Sequence, residues 1–154
     1  MIRKFLYFIN PISGTKQKEP LLRLIVKRMQ GSHLSYEIAD TRADGNYGYL
    51  PQKIQQEQIT DIIICGGDGT ISGIAAHLAG TTVRVGIIPM GSGNGLALAA
   101  GISKDPNKAI DIILQNKPGL IDGFMINQHF SCVLCGLGFD AQVAHDFAGQ
   151  SSRG

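Results

Sequence analysis

Residues 62–78 read Ile-Ile-Ile-Cys-Gly-Gly-Asp-Gly-Thr-Ile-Ser-Gly-Ile-Ala-Ala-His-Leu, and no other stretch restricts the fold as tightly. Four apolar residues form a buried strand. The chain then turns through three glycines around Asp68 and enters a helical pattern from Ile71. Glycines let a backbone approach a ligand closely, and the first free N–H groups of a helix point outward at an anion. Such a turn is built to hold phosphate. Asp68 would repel a bare phosphate, so its presence calls for a bridging divalent cation or for a hydroxyl that must lose its proton beside a phosphoryl group.

The rest of the chain supplies a setting for this turn. Apolar runs at 3–9, 34–39, 61–65 and 83–88 predict strands. Between them, helical spacing predicts helices over 20–30, 49–58 and 71–78, with two more over 96–100 and 106–115. Strands alternating with helices, and strands that are apolar throughout, predict a parallel sheet covered on both faces. The fold class is therefore α/β, a three-layer doubly wound and mostly parallel sheet. A second glycine turn, Gly91-Ser92-Gly93-Asn94-Gly95, follows the fourth strand as the first follows the third. Both should lie at the carboxyl edge of the sheet, where open α/β sheets bind ligands.

After Gly119 the pattern changes. Residues 120–126 and 129–135 predict two strands joined by a hairpin at Asn127-Gln128, and a loop and helix follow over 136–144. Residues 1–118 are expected to form an α/β nucleotide-binding kinase domain. Residues 119–154 are expected to begin an antiparallel β region that is incomplete here.

Composition narrows the function. At 154 residues with a net charge of +2, the chain suits one soluble domain and has no basic character pointing to nucleic acid. The apolar run at 5–9 is too short for a signal segment or a membrane span, so a cytosolic protein is expected. Three cysteines, with a lone Cys132-x-x-Cys135 pair, make neither a disulfide framework nor a zinc site, and read as packed thiols. His33, His77, His129 and His145 are scattered and read as exposed or satisfied side chains. Lys16 and Arg42 lie in loops from which they could neutralise phosphate, or stand as solvated surface charges.

Neither a Walker A loop nor the dinucleotide pattern G-x-G-x-x-G occurs; position 96, where the latter would need its last glycine, is Leu. The chain instead resembles the diacylglycerol kinase / sphingosine kinase catalytic-domain family, in its bacterial lipid-kinase branch. The resemblance is carried in order by Asn10-Pro11-Ile12-Ser13-Gly14, Gly66-Gly67-Asp68-Gly69-Thr70 and Pro89-Met90-Gly91-Ser92-Gly93-Asn94. Asp122 and Gly136-Leu137-Gly138-Phe139-Asp140-Ala141 extend it towards the C-terminus. Gly-Gly-Asp-Gly alone is shared with NAD kinases and phosphofructokinases.

The resemblance implies an enzyme that transfers the γ-phosphoryl group of ATP, with Mg²⁺, to a hydroxyl of diacylglycerol or a related lipid. It implies a cytoplasmic protein that works peripherally at the membrane surface, without nucleic-acid partners, and it leaves a homodimer open. In the family, nucleotide lies between this α/β domain and a C-terminal β-sandwich. Asn10, Ser13 and Gly14 would border the nucleotide, and Thr41 would lie near its phosphates. Gly66, Gly67, Gly69, Thr70, Gly91, Ser92, Gly93 and Asn94 would form the phosphate cradle. Asp68 would be the catalytic acidic residue, and Asp122 would join it through water or metal.

The chain also departs from the family. Ser72 and Gly73 stand where Asn and Glu are frequent, and Gly95 stands where diacylglycerol kinases often carry an acid. Asn46-Tyr47 replace the His-Ala pair expected after Thr41. The family takes lipid-pocket residues and a further acid from its second domain, which leaves turnover by these residues alone open. Two other readings stand beside this one: a soluble-substrate kinase of the NAD kinase type, and a nucleotide-binding module without catalysis.

Overall fold

The computed structural model describes residues 2–10, 18–133, 136 and 138–148. In chain order the elements are β1 (Lys4–Ile9), α1 (Lys18–Gly31), β2 (Ser35–Asp40), α2 (Leu50–Glu57), β3 (Asp61–Gly66) and α3 (Asp68–Ala75). They continue as β4 (Arg84–Pro89), α4 (Gly95–Ala99), α5 (Pro106–Gln115), β5 (Phe124–Ile126), β6 (His129–Ser131) and α6 (Phe139–Ala148).

β1 to β4 form a four-stranded sheet in the order β2-β1-β3-β4, and every pairing is parallel. The alternation of β1 shows how it becomes the middle layer. Phe5, Tyr7 and Ile9 point to one face, where they pack with Leu21, Ile25 and Met29 of α1 and with Ala109 and Ile110 of α5. Leu6 and Phe8 point to the other, against Leu50 of α2, Ile71 and Ile74 of α3, and Ala97 of α4. The α1 residues recur every four positions, the spacing of one helix face. β3 is buried along its whole length. A strand covered on both faces carries no polar alternation.

One buried charge stands at the amino edge of the sheet. Asp61, 1% exposed, opens β3. Its carboxylate accepts from Arg3 Nη2 at 2.6 Å, Arg84 Nη2 at 2.9 Å and Thr60 Oγ1 at 2.6 Å. Arg3 also donates to the carbonyl of Ile113 at the end of α5 and lies over the Phe5 ring. Burial raises the Asp61 pKa, but hydrogen bonds from Arg3 and Thr60, the Arg3 charge and the Arg84 hydrogen bond outweigh it and hold the carboxyl below its ordinary value.

Two expectations shift. The third helix starts at Asp68 rather than at Ile71, because Gly67 takes the extended N-cap position and its carbonyl already accepts the N–H of Ile71 at 3.1 Å. Asp68 therefore lies in a first helical turn, where the helix dipole favours a carboxylate. The C-terminal strands are shorter than expected. β5 and β6 pair antiparallel over three residues each, and residues 120–123 stay outside the ladder. Among the described residues β5 pairs only with β6, so nothing extends the strand towards Leu120, which is fully exposed.

Candidate functional site

The order β2-β1-β3-β4 makes the chain leave β1 in one direction to build β2, then return to build β3 on the other side. The carboxyl ends of β1 and β3 are thus the switch point of the sheet, where connecting loops diverge and leave a crevice. Three backbone bonds fix where the loops begin: Asn10 N–H to the Cys65 carbonyl at 3.3 Å, Thr41 N–H to Ile9 at 3.0 Å, and Met90 N–H to Gly66 at 3.0 Å.

The two glycine turns leave adjacent strands, since Gly66 is in register with Pro89. They are packed backbone against backbone. A Cβ on Gly91 would lie 2.7 Å from Gly67 Cα, and one on Gly67 would lie 3.1 Å from Gly91 Cα. These glycines are needed for mutual approach as well as for access to a ligand. Gly66 is similarly confined, since a Cβ there would meet the Thr70 side chain at 2.9 Å. Gly69 differs: a Cβ there meets nothing within 4 Å.

Side chains complete the lock. Asn94, 2% exposed, adopts the left-handed conformation at φ 58° that Asn tolerates better than most residues. Its Oδ1 accepts the Gly91 N–H at 2.8 Å, and its Nδ2 donates to the Gly91 carbonyl at 2.5 Å. The amide is therefore spent on closing its own turn. Asp68 reaches across to the second turn, accepting the Gly95 N–H on Oδ2 at 2.9 Å and the Leu96 N–H on Oδ1 at 3.1 Å. It thereby satisfies two orphan donors at the start of α4. Each oxygen keeps a further lone pair. Ser92 and Gly93 form the exposed tip of the second turn.

Two clefts open here. The first, of about 250 Å³, is lined by the loops after β1 and β2 and by α3, among them Asn10, Thr41, Tyr47, Gly69, Thr70 and Gly73. The second, of about 380 Å³, is lined by Asp68, Gly69, Ser72, Gly95 and Val133. Gly69 borders both, and a Cβ on it would stand in open space. Ser72 and Gly73, the departures from the family pattern, line the second and first cleft respectively. Gly73 widens the first by carrying no side chain.

Of the expected site residues, the structure gathers Asn10, Thr41, Gly69 and Thr70 around the first cleft and Asp68 beside the second. Gly66, Gly67, Gly91 and Asn94 form the frame behind them. Ser13, Gly14 and Lys16 lie outside the described residues. Asp122 is exposed, and no hydrogen bond or ion pair among the described residues joins it to Asp68. No group of three or more His, Cys, Asp and Glu side chains among the described residues is placed to hold a metal ion.

Arg42 is held by Asp44, through Nε to Oδ1 at 2.9 Å and Nη2 to Oδ2 at 2.5 Å. That bond and the Asn46 N–H pull the Asp44 carboxyl down to about 2. Burial raises the Cys65 thiol pKa far above its ordinary value, so this cysteine beside the turn is an inert core group. Tyr47 was not legible as a site residue. The one signal was its place in the pair replacing His-Ala.

A family model of the diacylglycerol kinase catalytic domain matches residues 4–126. A Stenotrophomonas maltophilia protein named "Probable lipid kinase YegS-like" is 31% identical over 142 residues, covering 86% of this chain and 46% of the relative. A diacylglycerol kinase of Staphylococcus carnosus is 26% identical over 141 residues, covering 89% and 45%. In fold the chain is similar to the crystal structure of a diacylglycerol kinase from Bacillus anthracis, with a TM-score of 0.72 at 24% identity, covering 83% of this chain and 45% of that one. The chain spans less than half the length of these two curated relatives. Matched over most of its length, and carrying both glycine turns interlocked at the switch point of a parallel sheet, the chain belongs to the diacylglycerol kinase catalytic-domain family.

Proposed function

We propose that this chain is the nucleotide-binding part of a lipid kinase that transfers the γ-phosphoryl group of ATP to a hydroxyl of diacylglycerol or a related lipid. The observation that carries the reading is the contact of Asp68 with Gly95 and Leu96, which ties the two turns together while leaving carboxylate lone pairs beside the second cleft. In the proposed mechanism the phosphates lie over Gly67 to Thr70, near the free N–H groups of the α3 N-terminus. Thr41 and Thr70 orient them, and Asp68 accepts the proton of the attacking hydroxyl. Mg²⁺ fits a site with one nearby carboxylate, because it draws most of its ligands from phosphate oxygens and water. When bound, it supplies neutralisation of the phosphate charge. The chain contributes position and fixed dipoles, which is most of what phosphoryl transfer requires.

Residues 119–154 then begin a second, antiparallel region. The exposed Leu120, Ile121 and Met125 support this, since such apolar residues ordinarily find cover. No helix among the described residues is long and apolar enough to cross a membrane. We propose that the protein reaches its lipid peripherally, from the cytoplasm. Transfer of label from radiolabelled ATP to extracted lipids by the full protein, with Asp68→Asn as control, tests this function. Label in a lipid that depends on Asp68 supports it, and absence of label from every lipid hydroxyl overturns it.

A further inference from the structure

One polar atom at the first cleft is only half used. Tyr47 is 3% exposed, and its ring is held edge-on by Phe8 at 5.5 Å and His77 at 6.1 Å between centroids. Its hydroxyl oxygen accepts the backbone N–H of Arg42 at 2.9 Å. A phenol both accepts and donates. Acceptance is taken by Arg42, and among the described residues no acceptor receives the proton. Tyr47 is one of the residues that line the cleft, so a ligand there can supply the acceptor that the described residues do not.

The rest of the lining points the same way. Arg42, the cation at the cleft among its described residues, is held by Asp44. The other polar side chains are those of Asn10, Thr41 and Thr70, which are neutral, so that hydrogen bonds rather than charge are what this lining offers a ligand. At about 250 Å³ the cleft is smaller than the roughly 300 Å³ at which pockets for whole ligands begin, so it suits one portion of a longer molecule. The loop that presents Tyr47 is itself braced, with Asn46 N–H on Asp44 Oδ1 at 3.0 Å and Gly48 N–H on Asn46 Oδ1 at 3.1 Å.

We propose that the Tyr47 hydroxyl is a ligand-binding group that donates a hydrogen bond to an oxygen of the nucleotide in the first cleft, its direction set by the Arg42 N–H. The proposal rests on the reading of this cleft as a nucleotide site.

The test is calorimetric binding of Mg-ATP to the full protein in three forms: unaltered, Tyr47→Phe, and with 3-fluorotyrosine incorporated at position 47. Tyr47→Phe keeps the ring contacts and is expected to weaken binding about tenfold, the worth of one hydrogen bond. Fluorination makes a phenol a stronger donor and a weaker acceptor. Measured below the pH at which the fluorophenol ionises, it should tighten binding if Tyr47 donates to the ligand. It should leave binding unchanged or loosen it if the hydroxyl only braces Arg42, and either result overturns the proposal. Equal affinity of the unaltered protein and Tyr47→Phe also overturns it, while leaving the nucleotide site standing. Absence of ATP binding by the unaltered protein overturns the nucleotide reading and this proposal with it.

Discussion

Asp68 does two jobs through one carboxylate: it caps α4 from the first turn of α3 and it faces the second cleft. Asp68→Asn keeps the shape but sets an NH₂ group against a backbone N–H. We expect a stability loss of about 1–2 kcal/mol by denaturant titration. Phosphoryl transfer should fall by about 100-fold or more, the usual scale for loss of a general base. The glycines separate frame from cleft. Gly91→Ala drives a Cβ into Gly67 Cα and should cost about 1–3 kcal/mol of folding stability. Gly69→Ala meets open space and replaces a helical glycine, so stability should hold or rise by up to about 1 kcal/mol. It adds a methyl group at a residue that lines both clefts, and ATP affinity should fall about tenfold, equivalent to about 1.4 kcal/mol. Calorimetry and denaturant titration on both variants read these opposite patterns. That Asp68 and both glycine turns lie at one edge of the sheet was legible in the sequence. Which glycine packs and which faces ligand was not, because that depends on how two turns far apart in the chain meet.

At the scale of elements, the amino and carboxyl edges of the sheet have divided roles. The carboxyl edge carries the clefts, and the amino edge is fastened by Asp61 between Arg3 and Arg84. The folded Asp61 carboxyl is more acidic than its unfolded counterpart, so the unfolded chain binds more protons as pH falls. Its stabilisation is present above about pH 4, near the ordinary carboxylate value, and is lost as pH drops through the lower folded value. Asp61→Asn should cost about 3 kcal/mol at neutral pH, because it strands two guanidinium groups. It should also flatten the acid limb of a stability–pH curve measured by thermal unfolding. Strand and helix spans were read to within a few residues from apolar periodicity. Asp61 was read only as the first residue of a strand, since its partners stand 58 and 23 positions away. The C-terminal strands came out shorter because strand length there depends on pairing partners, which an apolar run does not identify.

For the molecule as a whole, the fold class and the position of both turns at one sheet edge follow from strand–helix alternation. The strand order, and with it the switch point between β1 and β3, emerges only once the sheet is assembled. That order brings Asn10 and Thr41, from the loops after β1 and β2, and Thr70, from the first turn of α3, to one cleft. Nucleotide is proposed to bind across the two locked turns. Backbone amide resonances followed during titration with Mg-ATP test it most directly. Shifts should concentrate on residues 41–47, 66–72 and 91–96, with little change at the amino-edge residues Arg3, Asp61 and Arg84. Unchanged resonances in the two turns at saturating Mg-ATP, or shifts confined to other parts of the sheet, would contradict it.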